Sequence, residues 1–223
     1  MAKITLVGDI HGKIPEYQEL LSWHPEPVIQ LGDLGCGFLP IPKFASKDLF
    51  IRGNHDSPSV AQSHPNYLGE FGYILEYKMF YIGGAYSIDF QMRHQWMANG
   101  GPPCWWSDEE LSPVQLNLAL RQYIQFKPRI VVSHEAPALA GLTLLQMEQK
   151  RLYKFDCTTS RTAQVLQQMF DQHQPDLWVF GHYHFSRNFK IDKTRFLCLN
   201  ELEAFKLDTE KPLAGFYGGK CVT

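Results

Sequence analysis

A chain of 223 residues with 44% hydrophobic, 13% aromatic and 20% charged residues has the composition of an ordinary globular protein. Its length suits a single domain over residues 1–223 that buries roughly 70% of the surface its unfolded chain would expose, so no disulfide or metal staple is required. The formal net charge of −2, with no long run of like charges, speaks against a long nucleic acid as ligand but leaves room for a nucleotide or short phosphodiester.

In chain order, residues 4–7 form a short apolar, β-branched run that predicts a buried strand ending at Gly8. Residues 15–23 follow with helical spacing, and Pro15 suits a first helical turn. Strands are expected at 28–31 and 48–51, then a strand pair at 73–77 and 79–82. An amphipathic helix is expected over 113–126 and a strand over 130–132. Thr159-Ser160 can cap a helix running to about His173. A strand at 177–180 and three short closing strands at 187–191, 196–199 and 204–207 complete the series. Two stretches fit this plan poorly: 86–112 is rich in Pro, Gly and Trp, and 138–158 reads as a polar excursion. Connections of that length are uncommon unless they act as lids, binding loops or disordered segments.

The five cysteines, Cys36, Cys104, Cys157, Cys198 and Cys221, are odd in number and form no C-x-x-C pair, which speaks against a disulfide framework or a structural zinc site. No apolar run approaches the ~20 residues of a transmembrane helix, and the chain enters a strand with no signal-peptide core. A reduced, cytoplasmic location without membrane association is the expectation.

Five short blocks carry the chemistry: Gly8-Asp9-Ile10-His11-Gly12, Gly32-Asp33, Gly53-Asn54-His55-Asp56, Ser133-His134 and Gly181-His182-Tyr183-His184. Each lies at or just past the carboxyl end of an expected strand, the edge where open α/β sheets bind ligands. Asp9 and His11, two residues apart, share a face if extended and can reach one ion. Asp33 has two oxygens and can bridge two ions, Asn54 offers a carbonyl oxygen, and His134, His182 and His184 offer imidazoles. Such a set of oxygen and imidazole donors suits Mn²⁺, Fe or Zn²⁺ better than Ca²⁺. Two ions about 3.5–4 Å apart activate water and clamp the oxygens of an in-line phosphoryl displacement.

Taken together, Asp9-x-His11, Gly32-Asp33, Gly53-Asn54-His55-Asp56, His134 and Gly181-His182-x-His184 resemble the signature of the calcineurin-like metallophosphoesterases. The resemblance implies a four-layer α/β/β/α sandwich of two mixed sheets with flanking helices. It implies Asp9, His11, Asp33 and His184 on one divalent ion, and Asp33 bridging to a second held by Asn54, His134 and His182, with manganese the first expectation. His55 is implied as the group that faces substrate and protonates the leaving oxygen or stabilises the phosphoryl group, a role suited to a near-neutral imidazole. The expected reaction is hydrolysis by a metal-bound hydroxide, with Asp33, Asn54 and His55 as the catalytic set.

Cys36 stands where many relatives carry an aspartate that orients the acid histidine, and Asp56 is the candidate substitute. Arg52, just before the Gly-Asn-His block, is a candidate phosphate grip or a surface salt-bridge partner. Arg93, in the Trp-rich excursion, is a candidate substrate contact. Two histidines in the last block look more like phosphodiesterase and nuclease branches, so a phosphodiester or nucleotide-type small substrate is expected. Phosphomonoesterase or protein phosphatase activity, and a non-catalytic binding scaffold, are the alternatives.

Overall fold

The computed structural model describes residues 3–148 and 160–211. Its elements run β1 (Lys3–Val7), α1 (Ile14–Trp23), β2 (Val28–Gln30), β3 (Leu49–Phe50), α2 (Pro58–Ser63), β4 (Phe71–Ile74) and β5 (Met79–Ile82). They continue with α3 (Phe90–Ala98), α4 (Pro113–Phe126), β6 (Ile130–Ser133), α5 (Ala138–Met147) and α6 (Arg161–Gln172). The chain then closes through β7 (Leu177–Phe180), β8 (Arg187–Ile191), β9 (Thr194–Cys198) and β10 (Ala204–Asp208).

The strands form two mixed sheets, one in the order β10-β1-β2-β3 and one in the order β4-β5-β6-β7-β9-β8. The central pairings of both are parallel, whereas β10, β4 and β8 join antiparallel at the edges. Because side chains alternate across a strand, each sheet presents two apolar faces. Ile4, Leu6, Ile29 and Leu31 of the smaller sheet meet Ile130, Val132, Leu177 and Val179 of the larger in one buried cluster. The opposite face of the larger sheet, with Val131, Trp178 and Phe196, takes Tyr123 of α4, Leu144 of α5 and Leu166 of α6. The outer face of the smaller sheet, with Val28 and Phe50, takes Ile14, Tyr17 and Leu20 of α1. The result is an α/β/β/α sandwich.

Helix ends follow their sequence signals. Ser112 caps α4 in a reciprocal box with Gln115, and Pro113 opens the helix. Ser160 caps α6 by accepting from the Ala163 N–H; Thr159 lies outside the described residues. The expected strand over 73–77 ends early, because Leu75–Tyr77 tightens into a 3₁₀ turn.

Two expectations are corrected. Residues 86–112 are not all loop, since they contain α3, whose apolar residues fall all round the helix, so that no residue of it is fully buried. The excursion over 138–158 begins as α5, an apolar helix that buries Ala140, Gly141 and Leu144. Its polar character starts only near the helix end, and 149–158 lie outside the described residues. Among the described residues no helix is long and apolar enough to cross a membrane.

Trp178 sits at the middle of this packing, fully buried, its indole N–H donating to Ser133 Oγ at 2.9 Å. Trp178→Ala is expected to cost about 3–5 kcal/mol and lower the thermal midpoint by roughly 10 °C, measured by calorimetry.

Candidate metal centre

The five blocks meet where β1, β2 and β3 of one sheet and β6 and β7 of the other end. The turns are unusual: His11, Asp33, His182 and His184 all adopt left-handed backbone, with φ of 48°, 58°, 68° and 55°. Non-glycine residues visit this region rarely, Asp and His more readily than most. Glycines beside them permit close approach. A Cβ on Gly181 would stand 2.2 Å from Asp9 Oδ1, and one on Gly53 would stand 2.1 Å from Asp33 Oδ1.

Asp9, His11, Asp33 and His184 bring one donor atom each within 4.8 Å of one another. The Nε2 atoms of His11 and His184 are 2.8 Å apart, and Asp9 Oδ2 lies 3.0 Å from His184 Nε2 and 3.6 Å from His11 Nε2. That Asp9 oxygen is buried and accepts no hydrogen bond. An orphaned carboxylate oxygen among imidazole nitrogens and a second carboxylate is a donor set that fits a first-row divalent ion.

Beside it, Asn54 Oδ1 lies 3.1 Å from His134 Nε2 and 3.0 Å from His182 Nδ1. His134 Nε2 is also 3.4 Å from Asp33 Oδ1, whereas Asp33 Oδ2 is 3.9 Å from His11 Nε2. Asp33 therefore turns one oxygen to each group. His134 Nδ1 faces the Leu31 carbonyl at 2.7 Å. A carbonyl only accepts, so Nδ1 carries a proton and Nε2 is the nitrogen turned to the site.

Electrostatics in this cluster are strongly biased. Burial opposes charge on Asp9 and Asp33, yet neighbouring imidazoles hold both carboxyls well below the usual range. Burial likewise disfavours a charged His134, but Asp33 and Asp9 lift it to about 10. His182, buried and facing His134, falls to about 3.

His55 stands at the rim. Its backbone N–H donates to Asp33 Oδ1 at 2.8 Å, and its Nε2 is 3.9 Å from Asp33 Oδ2. Arg93 of α3 lies against the ring, with Nη2 3.0 Å from Nδ1. Arg93 is itself anchored by Asp89 and by the Cys104 carbonyl. Burial, reinforced by the Arg93 charge, lowers His55 to about 4 even though Asp33 works the other way.

Two candidate roles are corrected by these contacts. Asp56 does not orient His55; its carboxylate accepts the N–H groups of Leu34, Gly35, Cys36 and Gly53. Arg52 is neither a surface salt bridge nor open to phosphate, being 2% exposed. Its Nε donates to Glu70 Oε2 at 2.8 Å and its Nη1 to the Glu109 carbonyl. Cys36 is buried, and burial beside Asp56 pushes its thiol up, leaving it inert. Ser87, which accepts from Asn54 Nδ2, and Glu109, which accepts from Ser87 in turn, were not among the sequence candidates. Neither carries a motif, and only a buried acid in an aromatic segment marks them.

The model of the calcineurin-like phosphoesterase family matches residues 2–186. The chain belongs to that family. The family is metal-dependent, its members are typically hydrolases, and the four-residue donor group above is a candidate site for such an ion. Three solved structures are similar over most of the chain. A Streptococcus pneumoniae protein described as a predicted phosphoesterase is 13% identical, covering 93% of this chain and 85% of that one at a TM-score of 0.43. A Thermotoga maritima protein is 16% identical, covering 93% and 92%, with a TM-score of 0.38. The phosphopantetheinyl hydrolase of Mycobacterium tuberculosis is 11% identical, covering 90% of each chain, with a TM-score of 0.42. No curated protein matches the chain.

Removing Arg52 takes the cation from Glu70, which is 14% exposed and keeps the Gln62 amide as a side-chain donor. Arg52→Ala is expected to cost about 3 kcal/mol and lower the thermal midpoint by roughly 6–12 °C. A midpoint that holds while inhibition by inorganic phosphate weakens would return Arg52 to a phosphate-binding role.

Proposed function

We propose that this chain is a two-ion phosphoester hydrolase acting on small phosphodiester or nucleotide-type substrates. One observation carries the reading: Asp33 divides its oxygens between two adjoining donor groups, Oδ2 toward His11 and Oδ1 toward His134. Asp9, His11, Asp33 and His184 would hold one ion, and Asp33, Asn54, His134 and His182 the other. Manganese, iron or zinc suits this mixture of carboxylate, amide and imidazole donors. Two such ions, when bound, supply an activated water and neutralise charge on the phosphoryl oxygens.

The chain's own residues supply the rest. His55 and Arg93 stand together beside Asp33, where a phosphoryl group would lodge. Arg93 brings a permanent positive charge against the ring, which stabilises negative charge developing on the phosphoryl oxygens. His55, kept neutral by burial and by Arg93, donates a ring N–H hydrogen bond that stabilises the charge developing on the leaving oxygen as the ester bond breaks, and that oxygen takes its proton from solvent. Asn54 presents its amide oxygen to the second donor group. We place the protein in a reducing, cytoplasmic setting, a reading supported by the free thiols of Cys36, Cys104 and Cys198.

The test is turnover of a nitrophenyl phosphodiester and the matching monoester with Mn²⁺ added, alongside metal content. The wild type is expected to bind two ions and to hydrolyse the diester faster. His55→Ala is expected to keep both ions and lose about 10²–10⁴-fold in kcat. A faster monoester reaction reverses the substrate order. Absence of turnover with two ions bound would leave the binding-scaffold reading in its place.

A further inference from the structure

Residues 86–112 leave the larger sheet after β5 and return at α4, and on the way they touch the block that follows β3 three times. The Glu109 carbonyl accepts from Arg52 Nη1, Ser87 Oγ accepts from Asn54 Nδ2 at 3.0 Å, and Arg93 lies on the His55 ring. Three of the four residues from 52 to 55 thus have their side chains contacted by one segment.

At the base of that segment Ser87 and Glu109 close on each other. The Ser87 N–H donates to Glu109 Oε1 at 2.7 Å and the Ser87 hydroxyl to Oε2 at 2.6 Å. Both residues are buried, 1% and 3% exposed, so water does not compete for these bonds. A serine has one hydroxyl proton, and an ionised carboxylate can only accept it. What Ser87 has left to offer Asn54 is a lone pair. Asn54 must therefore turn its NH₂ toward Ser87, and the amide oxygen then faces His134 and His182. Without that partner the amide is free to rotate and to present NH₂, which is a donor and no metal ligand. The direction of the chain Asn54–Ser87–Glu109 selects the end of the amide that meets the site.

We propose that Ser87 and Glu109 are positioning residues for Asn54, which makes the 86–112 segment a structural part of the second ion site and not a detachable flap. This inference rests on the two-ion reading above. Support around ligands of this kind is worth 10–100-fold in metal affinity in other sites.

The experiment is a calorimetric Mn²⁺ titration of the wild type, Ser87→Ala and Glu109→Gln. Metal content after dialysis and the metal-free thermal midpoint are recorded in parallel. It is run at about pH 8, above the value of about 7 to which burial lifts Glu109, so that the carboxylate is an acceptor only. The expected result is two ions in the wild type, an unchanged first ion in both variants, and a second ion weakened about 10–100-fold. Equal second-ion affinity in all three proteins overturns the inference and leaves the two-ion reading standing. Equal loss of both ions, or failure of both variants to fold, also overturns it, because support of one amide predicts an intact first site and an intact fold. A wild type that binds fewer than two ions overturns the two-ion reading itself.

Discussion

Two carboxylates buried side by side, Asp9 at 0% and Asp33 at 1% exposure, set the terms for everything around them. In an apolar interior each would give up its charge unless paired. Burial pushes both toward the neutral form, and the ring of imidazoles outweighs it. The reverse appears in His134, which the same carboxylates lift to about 10. His182 cannot follow, since burial and the His134 charge push it to about 3. The cluster thus calls for more positive charge than its own imidazoles comfortably carry together. A divalent ion meets that demand while leaving the ring nitrogens as lone pairs.

The fold answers the same demand with backbone. The His182 N–H donates to Asp9 Oδ1 and the His55 N–H to Asp33 Oδ1, so the turns that carry the candidate donors also hydrogen-bond the buried carboxylates. The Asp33 carbonyl accepts from the N–H groups of Ile10 and His11, which ties the turn after β1 to the turn after β2. Four of the candidate ligand residues hold left-handed backbone to make these turns, at a cost of about 1–3 kcal/mol each where the residue is not glycine. Such strain persists only where neighbours over-determine it, and the packing of both sheets behind the turns does so.

Most of the architecture could be read from periodicity because it rests on alternating burial. Apolar runs such as Ile130–Ser133 and Leu177–Phe180 are buried on both faces and stand out from the composition alone. The candidate donor residues stand out for a related reason: each follows such a run and sits close to glycine or serine. What escaped were features set by tertiary contact. Helix α3 has no apolar stripe to announce it and buries no residue fully, and its Arg93 lies against His55. Arg52 has the right position for a phosphate contact, but Glu70 lies 18 residues along the chain and the Glu109 carbonyl 57. No local pattern reveals those partners. Ser87 is an ordinary serine until its two neighbours in space are known.

Cys36 stands where the family resemblance implies an aspartate, and the contacts around it fill that place in another way. An aspartate at that position would orient His55 from within the turn after β2. Here residue 36 contributes only its backbone N–H, which Asp56 accepts together with those of Leu34, Gly35 and Gly53. Asp56 therefore fastens the turn bearing Asp33 to the turn bearing Asn54, a task that needs a buried acceptor and no acid at position 36. Contact with the His55 ring comes from Arg93 of α3. An arginine differs from an aspartate in consequence as well as in place: it adds to burial in keeping the imidazole neutral, whereas a carboxylate would favour its charged form. The histidine is thus coupled to the 86–112 segment, whose Arg93 is itself anchored by Asp89 and the Cys104 carbonyl.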